Sequence, residues 1–111
     1  LVDGFPKEVT LTPAEIREVL SEQIGVIIDA ILTTLERTPP ELSADILETG
    51  ITLAGGGAML HGMDKLVAQQ TGMPVFIAEE PLDCVARGTG AILESPETFS
   101  RTLFFENRPS R

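Results

Sequence analysis

The run Ile51-Thr52-Leu53-Ala54 is short, β-branched and apolar, and it ends on three consecutive glycines, Gly55-Gly56-Gly57. A run of that kind, bounded by turn residues, reads as a buried strand rather than a half-exposed one. A second such run, Pro74-Val75-Phe76-Ile77-Ala78, follows a helical pattern from about Met63 to Gln70 that Gly72 closes. Strand, helix and strand in that order confine the chain to the α/β class, with a partly parallel sheet.

The flanking sequence supplies more helix than sheet. Lys7-Glu8-Val9-Thr10-Leu11 alternates polar and apolar residues and predicts a strand, with Leu1-Val2 as the end of a partner. Thr12-Pro13-Ala14-Glu15 combines an N-cap hydroxyl, a proline at the first helical position and a glutamate spaced for a capping box. From there Ile16, Leu20, Ile24, Ile27, Ile28, Ile31 and Leu35 form one apolar stripe, so a helix of ~37 Å runs to about residue 37. Glu15, Glu18, Glu22, Asp29 and Glu36 fall on the opposite arc. That arc reads as a solvated face rather than a metal site, since no histidine accompanies it.

Thr38-Pro39-Pro40-Glu41 repeats the start signal and predicts a second helix over about 39–48, with Gly50 as its C-terminal cap. Pro81 to Leu93 contains the last helix, with Gly88 and Gly90 narrowing one face for close packing. Two core strands are few for four helices. The expectation is an incomplete sheet whose remaining strands lie upstream, in a chain that begins at Leu1 and reads as a piece of something longer.

Composition limits the function classes. Apolar residues make up 42% of 111, enough for a core. Seventeen acidic residues against eight basic ones give a net charge of −9, the wrong sign for a nucleic-acid binder. The lone Cys84 has no internal disulfide partner and no Cys/His cluster beside it, which suits a cytosolic protein. No apolar run approaches the roughly 20 residues of a membrane span, and no signal peptide is evident.

One segment is specialised beyond folding: Leu53-Ala54-Gly55-Gly56-Gly57-Ala58-Met59-Leu60-His61-Gly62. Glycines at the carboxyl edge of a buried strand let a backbone approach a ligand closely, at the place where open α/β sheets bind them. Exposed amides there attract phosphate oxygens. Neither nucleotide fingerprint fits well. The P-loop lysine is missing, and Leu60 stands where GxGxxG needs its third glycine. By spacing alone, a ligand loop and a plain strand-to-helix turn stay equally open.

The strings ERTPPELSADILETGI, LAGGGAMLHGMDKL and EEPLDCVARGTGAIL resemble the C-terminal region of the MreB family of bacterial actin homologues. The likeness covers nearly all of residues 1–94. In that family the triple glycine is the adenosine motif, and Cys84 to Gly90 falls in the second connecting segment. The resemblance implies the C-terminal part of an actin-like, ribonuclease H-like ATPase lobe. Residues 1–11 would be a strand at the edge of the outer subdomain, 12–94 the inner subdomain of the second lobe, and 95–111 a tail. It further implies ATP with magnesium as cofactor, and Gly55, Gly56, Gly57, Ala58 and Met59 as the nucleotide-contacting residues. The glycine backbones would lie against ribose and phosphates, and Met59 would flank the base.

The implied activity is nucleotide-controlled polymerisation into membrane-associated filaments that direct cell shape and wall synthesis. The partners would be further copies of the chain, MreC, MreD and RodZ. The location would be cytoplasmic, at the inner membrane surface, through parts not in this chain. The phosphate loops and the acidic residues that position magnesium lie upstream in the family, so the resemblance assigns no catalytic and no metal residue here, and no tight binding by this segment alone. An Hsp70-like or sugar-kinase member of the superfamily, and a self-associating segment that binds no nucleotide, are the rival readings.

His61, the single histidine, reads as an ordinary loop residue, and Cys84 beside Val85 and Ala86 as a buried small side chain. In the tail, Phe99, Phe104 and Phe105 stand among Arg101, Arg108 and Arg111. Docking back onto the domain is one reading and contact with a partner or membrane face the other.

Overall fold

Thr12 opens the first helix as its spacing demands. In the computed structural model, which describes residues 4–100, the Thr12 Oγ1 accepts the Glu15 backbone N–H at 3.3 Å. In return the Glu15 carboxylate accepts the Thr12 N–H at 2.8 Å and its hydroxyl at 3.1 Å. Helix α1 then runs Pro13–Glu36. The described residues part into two compact units between Ser43 and Ala44.

In the first unit burial grows along α1. Ile16 and Val19 in its early turns are 46% and 76% exposed, whereas Ile28 is buried. The acidic arc is solvent-exposed throughout. The expected strand at 7–11 is not there. Lys7 to Leu11 is exposed and belongs to no sheet among the described residues. Alternation specifies a face, but a strand exists only once a neighbour completes its ladder. Leu1-Val2, the expected partner, lies outside the described residues, as do the tail side chains from Arg101 onward.

Helix α2, Pro40–Thr49, starts without the hydroxyl cap read into Thr38. Thr38 Oγ1 instead donates back to the Thr34 carbonyl at 2.7 Å, and the Pro39 carbonyl accepts the Leu42 and Ser43 N–H groups, each at 3.0 Å. Gly50 terminates α2 in the left-handed region, at φ +83°. A Cβ there would lie 2.7 Å from both the Phe76 ring and the Pro74 carbonyl oxygen, so neither the conformation nor the space admits another residue.

The second unit contains the βαβ segment. Strand β1, Ile51–Leu53, pairs parallel with β2, Val75–Ile77, in the register Ile51↔Val75, Thr52↔Phe76 and Leu53↔Ile77. The ladder extends by one bond at each end, Ile51 N–H to Pro74 O and Ala78 N–H to Leu53 O. Helix α3, Met63–Thr71, packs on β2 and on the turn that follows β1. Met63, Val67 and Ala58 form the buried centre, with Val67 wholly enclosed.

Helix α4, Cys84–Glu94, closes the described part. The strands are less buried than their apolar sequence predicts, and Phe76 is 55% exposed. The sheet has two strands among the described residues, and α3 covers only part of it. A Cβ on Gly88 or Gly90 would meet nothing within 4 Å, so the close packing expected of those glycines is absent among the described residues. Among the described residues no helix is long and apolar enough to cross a membrane.

Candidate functional site

The glycine run sits at the carboxyl end of β1, and its three members take different roles. Gly55 has φ +81° and ψ 178°, a combination essentially confined to glycine. It turns the chain out of the strand, and its N–H donates to the Pro81 carbonyl at 2.7 Å. A 3₁₀ turn, Gly56–Met59, follows, bonded by Ala58 N–H to Gly55 O and Leu60 N–H to Gly57 O, each at 3.2 Å. Gly62, at φ +84°, redirects the chain into α3.

Gly56 and Gly57 are glycine for neither of these reasons. Neither has a left-handed φ. A Cβ on Gly57 would meet nothing within 4 Å, and one on Gly56 would only touch the Leu82 Cδ2 at 3.5 Å. Their N–H groups donate to no partner among the described residues. The outer side of the turn is thus bare backbone with two unused donors, an arrangement suited to acceptor oxygens of a ligand.

The five residues matched to the nucleotide stretch divide by direction. Ala58 is buried at 4% exposure, so its methyl belongs to the core and only its backbone is available. Met59 is 59% exposed, so its side chain points out of the core. His61 is exposed and makes no hydrogen bond through its side chain among the described residues. Cys84 is half-buried rather than fully enclosed, with its thiol 3.8 Å and 3.6 Å from the carbonyl oxygens of Glu79 and Glu80. Among the described residues no three His, Cys, Asp or Glu side chains gather where they could hold a metal ion.

The turn at 79–83 was not singled out by the sequence. Glu80 there has φ +47°, the one non-glycine residue with positive φ among those described, and its carboxylate pairs with Arg87 at 3.1 Å. The Glu80-Pro81 step marks a turn or extended dipeptide, but no residue type there specifies a left-handed Glu80.

Comparison with known proteins matches the family model described as MreB/Mbl protein over residues 1–101. The Mbl cell shape-determining protein of Bacillus cereus is 53% identical over 95 residues, 86% of this chain and 28% of that protein. The MreB cell shape-determining protein of Escherichia coli K12 is 46% identical over 106 residues, 96% of this chain and 30% of that one. The crystal structure of MreB 5 of Spiroplasma citri bound to AMPPNP superposes with a TM-score of 0.80 at 38% identity, covering 91% of this chain and 30% of that one. The chain therefore spans under a third of the length of the relatives it matches.

Proposed function

Because this chain belongs to the MreB/Mbl family of actin-like, cell shape-determining proteins, we propose that its Gly55–Met59 turn is one wall of an ATP pocket in a filament-forming cytoskeletal protein. The Hsp70-like and sugar-kinase alternatives lose their ground to that membership. The observation that carries the reading is Gly57, which has room for a side chain, no need of a left-handed backbone, and an N–H without a partner among the described residues. A bare turn of that kind is explained by something external that must come close. The AMPPNP bound by the Spiroplasma citri relative supports a nucleotide as that ligand.

In this reading the Gly55, Gly56 and Gly57 backbones face the ribose and phosphates, Ala58 anchors the turn in the core, and Met59 flanks the base. Magnesium and the groups that activate water belong to other parts of a full-length family member, so this segment binds and shapes but does not hydrolyse. The Gly56 and Gly57 N–H groups would help hold ATP, whose bound form would favour closure of two lobes and the polymerising shape. The partners in this reading are further copies of the same protein, with MreC, MreD and RodZ at the cytoplasmic face of the inner membrane. Residues 12–94 would form the inner subdomain of the second lobe.

The test is ATP titration of a polypeptide of the relatives' full length carrying this segment, with Gly57→Val. The added side chain enters open space, so circular dichroism should be unchanged while affinity falls at least about tenfold, 1.4 kcal/mol. Equal affinity would remove the turn from the pocket.

A further inference from the structure

Resting on the reading of Gly55–Met59 as a nucleotide-facing turn, we infer that the segment Glu79–Asp83 braces that turn in its ligand-facing shape, with the Pro81 carbonyl and the Leu82 side chain as positioning groups. One hydrogen bond joins the segments, one side chain stands close by, and both fall at the glycines. The Gly55 N–H donates to Pro81 O at 2.7 Å, fixing the residue where the chain leaves β1. Leu82 Cδ2 stands 3.5 Å from where a Cβ on Gly56 would be, so it backs one side of the turn while the side at Gly57 stays open. Leu82 is otherwise 65% exposed, so its position gains little from burial.

The brace is itself held in shape. Glu80 occupies the left-handed region, a conformation that persists in a non-glycine residue only where the surroundings enforce it. Its carbonyl accepts the Asp83 N–H at 3.0 Å and faces the Cys84 thiol at 3.6 Å. Its carboxylate reaches Arg87, one turn into α4. The start of α4 therefore fixes the 79–83 turn, and that turn fixes Gly55 and Gly56.

Amide hydrogen exchange on the 111-residue chain tests the mechanical part. Leu82→Ala should lower protection of the Gly55 amide about tenfold while Val67 stays within about twofold, and Leu82→Met should restore Gly55. Equal loss at Val67, or an unchanged Gly55, overturns the brace. The ligand part uses ATP titration of the full-length polypeptide. There Leu82→Ala should weaken binding several-fold and Leu82→Met should not. Lost Gly55 protection with unaltered ATP affinity overturns the positioning role. If Gly57→Val leaves ATP affinity intact, the pocket assignment falls instead, and the brace is judged by exchange alone.

Discussion

Two valines on two helices behave oppositely. Val19, early in the 24-residue α1, is 76% exposed, whereas Val67, in the nine-residue α3, has no exposure at all. The first helix is specified locally, by a complete capping box and a long run without proline after its first residue. The second is too short to persist in water on propensity and is sustained by packing on β2 and the 3₁₀ turn. Among the described residues close packing is therefore concentrated in the βαβ segment, while the early turns of α1 rest on local signals.

That contrast is open to attack by substitution. The chain has no Trp or Tyr, so circular dichroism is the natural probe. Gly50→Ala should be the most damaging change, costing roughly 2–5 kcal/mol in urea denaturation, because its Cβ meets the Pro74 carbonyl at 2.7 Å on a left-handed backbone. Val67→Ala should cost about 2 kcal/mol through the cavity it leaves, while Val19→Ala stays within about 0.5 kcal/mol. Equal costs at the two valines would break the comparison. Gly25→Ala sharpens it from the other side. Its Cβ meets nothing within 4 Å, and the thermal midpoint of α1 should rise by the equivalent of about 0.5–1 kcal/mol.

The smallest effect is at Glu15. Hydrogen bonds from the Thr12 backbone N–H and then its hydroxyl hold this carboxyl below its ordinary value. A lowered folded-state value means the cap is fully stabilising above the ordinary carboxylate range and is lost as pH falls through the lowered one. The protection of the Thr12 and Glu15 amides, with exchange corrected for its intrinsic pH dependence, should therefore fall on acidification, and Glu15→Gln should flatten that dependence. An unchanged slope in the variant would assign the pH response elsewhere.

What the sequence made legible follows the same division. Signals contained within a few residues were readable: the Thr12 and Glu15 box, the left-handed caps at Gly50 and Gly72, and the two parallel strands around α3. Features that depend on a distant neighbour were not. Lys7 to Leu11 has the pattern of a strand but no ladder among the described residues. Gly88 and Gly90 resemble packing notches, yet open space surrounds them. Cys84 was read from its apolar neighbours, but Val85 itself is 78% exposed, so adjacency in sequence said little about enclosure. At the candidate site the glycines were evident, and the Pro81 carbonyl that anchors them was not, since any residue type carries one.

The parallel pairing of Ile51 with Val75 closes entirely within the stretch 51–77. Parallel strands usually join slowly, because distant segments must meet before any contact rewards them, but here the connection is a single short helix and the closure entropy is modest. During synthesis this paired stretch would clear the ribosome as one contiguous piece. The bare glycine turn would then take its final shape only a few residues later, once Pro81 emerges to accept the Gly55 N–H.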